Sequence, residues 1–167
     1  MSAALPLPQA AMLPALHIAA GDVHCTIDPT LLVTVLGSCV SVCLWDAVLR
    51  QGGMNHFALP HERRTVRSAR CGDVAVPELI AGVRALGSRI QDLRAKVFGG
   101  AAVLNFGRDG ESIGEEYVRI ALSALQRENI PVVARLTGGN QGMAIRFDPR
   151  NGGVLVRRLA AGNLLAT

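Results

Sequence analysis

The sequence predicts an α+β fold: mostly antiparallel β-sheets, sandwich-like, flanked by two main helices. Three observations predict it. Short apolar or alternating runs, bounded by Gly, Pro and Asp turns, crowd both ends of the chain. Two stretches between them repeat apolar residues at helical spacing. Half of the residues are hydrophobic but only 4% are aromatic, so the core must be built from Val, Leu, Ile and Ala.

Asp22 to Ile27 alternates, with Val23, Cys25 and Ile27 on one side, as a half-buried strand does. Asp28-Pro29-Thr30 is a turn signal. Leu31 to Leu36 is a continuous apolar run, expected as a strand buried on both faces. Gly37-Ser38 interrupts it, Val40 to Trp45 resumes a strand, and Gly52 to Leu59 forms the next, ended by Pro60. The close spacing predicts antiparallel neighbours. From Val76 to Arg89, Leu79, Ile80, Val83 and Leu86 share a helical face, with Gly87 near the end. Ala95 to Phe98 is a short strand opening into Gly99-Gly100-Ala101. Ser112 and Glu115 make a capping box for a helix to Asn129, with Tyr117, Ile120, Ala121, Ala124 and Leu125 as its apolar stripe. Strands over 131–136, 143–147 and 153–156 follow.

The length of 167 residues suits one domain, expected over 16–160. Residues 1–15 are expected to be a flexible extension and 161–167 a tail. The first twenty residues lack a basic start, and Pro6, Pro8 and Pro14 interrupt them, so they do not read as a signal peptide. No run approaches the roughly 18–20 apolar residues of a membrane span. The net charge of +4 comes without basic runs interleaved with aromatics, which argues against nucleic acid. The one arginine-rich stretch, Glu62 to Arg70, reads as a solvated loop or as a docking edge for an acidic surface. Cys25, Cys39, Cys43 and Cys71 form no CxxC pair, and His17, His24, His56 and His61 stand at no zinc spacing beside them. The thiols are expected to be reduced, the compartment cytoplasmic, and no metal or cofactor is expected.

Cys39 follows the Gly37-Ser38 turn, and His56 lies one hairpin later. A thiol is mostly protonated at neutral pH, and an imidazole can take that proton. Gly37 is expected to adopt a backbone closed to other residues, exposing the thiol and leaving N–H groups near it for an oxyanion. Cys39 can equally be a small core residue; Cys25 and Cys43, inside strand patterns, are better read that way. His56 faces the side of Met54 and Ala58. Thr34, Ser38 and Asn55 are the candidates to orient its ring. Gly99-Gly100 lacks the pattern of a phosphate loop. It reads as a tight turn, or as small residues that admit a substrate helix.

The segments Leu36 to Leu44, Gly53 to Pro60, Gly72-Asp73-Val74, Lys96 to Ala101 and Ile113-Gly114-Glu115 together resemble the CheD family of chemoreceptor glutamine deamidases. Ile130 to Ala134, Gly138-Gly139 and Phe147-Asp148-Pro149 are also similar, so the resemblance runs from about Leu16 to Leu159. It implies conversion of receptor glutamines to glutamate, with release of ammonia, and in some members hydrolysis of glutamyl methyl esters. It implies a Cys-His-Thr arrangement: Cys39 as nucleophile, His56 as base and Thr34 as the third residue. Gly37, Ser38, Gly99 and Gly100 would bind substrate or the oxyanion. Met143 departs from the pattern, standing where many members carry arginine. The implied partners are chemoreceptor cytoplasmic helices, as substrate, and a CheC-type phosphatase; the protein itself is expected to be a monomer. A catalytically inactive adaptor and a cysteine protease are the competing readings.

Overall fold

The computed structural model of the chain describes residues 12–59, 67–103 and 112–160. Most of the expected N-terminal extension, most of the arginine-rich stretch and the C-terminal tail lie outside them.

Two sheets face each other, and both helices cover the outer side of one. The five-stranded sheet has the order β2-β5-β4-β6-β7. It comprises β2 (Val23–Thr26), β4 (Val40–Asp46), β5 (Gln51–Asn55), β6 (Leu93–Gly99) and β7 (Val132–Thr137). The four-stranded sheet has the order β1-β3-β8-β9. It comprises β1 (Ala15–His17), β3 (Leu31–Leu36), β8 (Met143–Asp148) and β9 (Gly153–Arg158). Most pairs are antiparallel, as the short connections require, but β1–β3 and β6–β7 are parallel. A parallel neighbour needs a crossover, and α2 (Ile113–Arg127) supplies it between β6 and β7.

β4 is the centre of the molecule and is buried along its whole length. Its Val40, Val42 and Leu44 face the helices, packing with Leu79 and Val83 of α1 (Gly72–Ala85) and Tyr117 and Leu125 of α2. Its Cys43 and Trp45 face the other way, into a core shared with Leu32, Leu36, Phe98, Ile145 and Phe147. Met143, the departure from the family pattern, is part of that second core and pairs with Leu36. Lys96 reaches the Gly152 carbonyl oxygen at 2.7 Å and lies over the Trp45 ring, tying the β8–β9 turn to the central sheet.

Several expectations change. β3 is buried on one face only: Leu32, Thr34 and Leu36 are covered, while Leu31, Val33 and Val35 are half exposed, because no layer covers the outside of its sheet. Ile27 falls outside β2 and is 63% exposed. β1 was not expected; it begins at the last residue of the expected extension. α1 starts at Gly72 rather than Val76 and takes Pro77 inside it. Pro77 lies on the exposed side, whereas the added turn buries Val74, Ala75 and Val76, and that burial outweighs one lost N–H. Gly87, at φ +107°, stops the helix just after its Leu86 cap.

α2 is capped as the sequence predicts. The Ser112 side chain accepts from the Glu115 N–H at 3.2 Å, and the Ser112 N–H donates to Glu115 Oε2 at 2.7 Å. Ser112→Ala is expected to lower stability by about 1 kcal/mol, read from the denaturation midpoint. An unchanged midpoint would show that the cap contributes nothing.

Candidate active site

The site forms where the two sheets meet, at the end that holds the start of β4. The bridge between Val40 and Phe57 continues the register of β4 and β5 beyond the regular pairing, with both N–H groups bonded to the opposite carbonyls at 3.0 and 2.9 Å. Val40 and Phe57 point toward the helices. Their neighbours Cys39 and His56 therefore point to the opposite face, between the sheets. In this register they are diagonal neighbours on that face, the spacing at which longer side chains meet. Cys39 is half buried there against the inter-sheet core.

His56 is 7% exposed. Its Nδ1 lies 2.9 Å from Thr34 Oγ1 and 3.3 Å from the Ile18 carbonyl oxygen. Thr34 has one hydroxyl proton, and it donates that proton to the same Ile18 oxygen at 2.6 Å. Thr34 can therefore only accept from His56, so Nδ1 carries the imidazole proton. Nε2 is left with its lone pair, and among the described residues it has no hydrogen-bond partner. Of the three candidates to orient the ring, the structure brings Thr34 to it. Asn55 instead accepts from the Val42 N–H, and Ser38 stays in the turn. Ile18 was missed, because a main-chain carbonyl leaves no signal in a sequence.

Burial pushes the Cys39 thiol above its ordinary value of 9.0, partly offset by its own backbone N–H. Burial also lowers the His56 imidazole below 6.5; the Ile18 carbonyl opposes this, His17 adds to it, and Asp22 opposes it. Both shifts disfavour charge, so at neutral pH the pair rests as thiol and neutral imidazole. Cys25 and Cys43 do not join the site. The Cys25 thiol contacts the Leu79 carbonyl oxygen at 3.7 Å and is pushed up to about 11 by burial. Cys43 is fully buried, which drives its thiol higher still. Cys25, Cys39 and Cys43 are free thiols.

The turn that carries Cys39 is held from β6. The Gly100 N–H donates to the Cys39 carbonyl at 2.9 Å, and the Ala101 N–H to the Gly37 carbonyl at 3.0 Å. The left-handed backbone expected at Gly37 falls instead at Gly99 and Gly100, with φ +104° and +68°. A Cβ on Gly99 would also collide with the Cys39 carbonyl oxygen. Among the described residues, the Ser38 N–H has no hydrogen-bond acceptor, while the Cys39 N–H is directed at its own sulfur. No three His, Cys, Asp or Glu side chains among the described residues converge as metal ligands. No described helix is long and apolar enough to cross a membrane.

The family model described as CheD chemotactic sensory transduction matches residues 58–158, well over half of the chain. A probable chemoreceptor glutamine deamidase CheD from Rhodospirillum rubrum is 51% identical over 139 residues, 83% of this chain and 79% of that one. A probable chemoreceptor glutamine deamidase CheD 1 from Anaeromyxobacter dehalogenans is 46% identical over 143 residues, 86% of this chain and 84% of that one. A continuous match of that length in a 167-residue chain must include Thr34, Cys39 and His56 wherever it begins. The crystal structure of a Bacillus licheniformis hypothetical protein, YfiH, has a TM-score of 0.46 at 15% identity, covering 71% of this chain and 51% of that one. That likeness is too slight to define a shared fold. The family model and the relatives agree along most of the length: the chain belongs to the CheD family.

Proposed function

We propose that this protein deamidates glutamine side chains of chemoreceptors to glutamate, acting on their cytoplasmic helices, with Cys39 as nucleophile and His56 as base. One observation carries the reading: the Thr34–His56–Ile18 arrangement, which leaves the imidazole lone pair on Nε2, on the face that Cys39 also shares. His56 Nε2 takes the thiol proton as Cys39 Sγ bonds to the carboxamide carbon. The carbonyl oxygen becomes an oxyanion, which the Ser38 N–H, without an acceptor among the described residues, would hold. The intermediate collapses, the C–N bond breaks, and His56 returns the proton to the departing ammonia. A water then loses a proton to Nε2 and attacks the thioester; the C–S bond breaks, the Cys39 sulfur regains that proton from Nε2, and the carboxylic acid formed releases its own proton to solvent, leaving glutamate. Gly99 and Gly100 act by supporting the turn, since the Gly100 amide is already committed to Cys39. The compartment would be the cytoplasm, where receptor helices are reached, with a CheC-type phosphatase as a further partner and the monomer as the working form.

The test is intact-mass analysis of a receptor cytoplasmic fragment after incubation with the protein. Each converted glutamine raises the mass by about one dalton. Cleaved fragments would indicate a protease, and stable binding without any mass change would indicate an adaptor.

The lowered imidazole fixes the pH dependence. kcat/KM reports the free enzyme, so its acid limb is expected to have a midpoint below 6.5, with full activity at pH 7. The same shift acts on stability: above 6.5 neither state binds the proton, and below it the unfolded chain binds first. His56 therefore destabilises the fold as pH falls from 6.5 through its lowered value. An acid limb centred above 6.5 would contradict a buried neutral imidazole.

A further inference from the structure

The ladder between β4 and β5 is interrupted beside His56. In an antiparallel pair, alternate residue pairs exchange both main-chain hydrogen bonds. Val40–Phe57 is such a pair, and the shared register makes Val42–Asn55 the next. The paired register stops at Cys43–Met54, one step short of it. The Val42 N–H donates to the Asn55 side-chain Oδ1 at 2.8 Å, and the Asn55 main-chain carbonyl accepts from Ser41 Oγ at 2.6 Å. The side-chain amide oxygen has taken the Val42 N–H in place of the Asn55 main-chain carbonyl. Both residues are fully buried. Asn55 Nδ2 has no partner among the described residues, a destabilising feature that a regular ladder would not carry.

The displaced carbonyl belongs to the peptide that leads into His56. On its other side, His56 remains anchored: its N–H donates to the Asp22 carbonyl at 3.1 Å, and its carbonyl accepts from the Gly21 N–H at 2.8 Å. His56 is thus held from the β2 side, while its neighbours Asn55 and Phe57 turn their main-chain groups toward β4. Its ring crosses to Thr34 on the facing sheet.

We propose that Asn55 is a positioning residue, whose side-chain carbonyl takes the Val42 N–H in place of its main-chain carbonyl and so sets the peptide that aims His56 at Cys39. Ser41 is its counterpart, holding the displaced carbonyl. The proposal rests on Cys39 and His56 acting as nucleophile and base, and not on the identity of the substrate.

The test is alkylation of Cys39 by iodoacetamide at pH 7 and pH 10, followed by mass analysis of the Cys39 peptide. At pH 7 the reaction depends on the imidazole accepting the thiol proton; at pH 10 the thiol ionises with much less help. Asn55→Ala is expected to slow the pH 7 reaction by about tenfold and change the pH 10 reaction by less than about twofold. Leu44→Ala, a core variant on the helix side of β4, should keep the ratio of the two rates. A wild-type ratio in Asn55→Ala, or an equal loss in Leu44→Ala, overturns the proposal. If Asn55→Ala does not fold, Ser41→Ala decides the matter: about a threefold fall at pH 7 supports it, and an unchanged ratio overturns it. The reagent requires no receptor. A changed ratio in a protein that leaves receptors unmodified would uphold the positioning role and refute the receptor reading; an unchanged ratio in an active deamidase would do the reverse.

Discussion

Cys39→Ala is expected to lower ammonia release from a receptor fragment by about 10⁴-fold or more while the protein stays folded. Neither neighbouring cysteine can take over the role proposed for Cys39. Cys43 is sealed in the inter-sheet core, and Cys25 sits against α1 on the far side of the central sheet. The fold should tolerate the change, because Cys39 lies half buried in a turn held by main-chain bonds from Gly100 and Ala101. Unfolding midpoints of the variant and the wild type should therefore agree to within about 1 kcal/mol. Cys25→Ala supplies the contrast, since its thiol makes only a long contact to Leu79 and turnover should persist. Substantial ammonia release from Cys39→Ala would exclude it as the nucleophile.

Thr34→Val should lower kcat by about 10²-fold with little change in KM. Valine matches the shape of threonine but cannot accept from Nδ1. The imidazole then keeps only the longer, 3.3 Å contact to Ile18, and the Ile18 carbonyl loses its 2.6 Å donor. The tautomer with its lone pair on Nε2 is less firmly held, so fewer encounters find the base ready. A stability loss of about 1–2 kcal/mol should accompany the change, because buried polar groups lose their partner. Thr34→Ser restores the oxygen and should recover most of kcat. Unchanged turnover in Thr34→Val would remove Thr34 from the mechanism.

Most elements are legible in the amino-acid sequence. The alternation of Val23 and Cys25, the apolar run from Leu31, and the stripe of Tyr117, Ile120, Ala121 and Ala124 each correspond to an observed element. The capping box at Ser112 is readable because it is a contact between residues three apart. Other features are not legible there. Burial of β3 on one face depends on which layers stack on its sheet, and a run of apolar residues does not record that. The start of α1 is hidden by Pro77, whose local preference yields to the burial of Val74 to Val76.

By itself, the sequence determined which groups could react. A cysteine in a Gly-Ser turn and a histidine on the returning strand lie within one hairpin, and local chain geometry is enough to put them on one side of it. The third residue depends on the tertiary structure. Thr34 belongs to the other sheet and pairs there with Ile145. It reaches His56 only because the two sheets pack face to face, and the Ile18 carbonyl that completes the set follows a strand at the edge of that second sheet. No spacing in the chain encodes a hydrogen bond between two sheets, because packing of the inter-sheet core sets their separation. The Asn55 substitution in the ladder is of the same kind, since its meaning depends on what β4 offers opposite it. The proposed pair is local chemistry, and the contacts that orient its imidazole are a property of the packed sandwich.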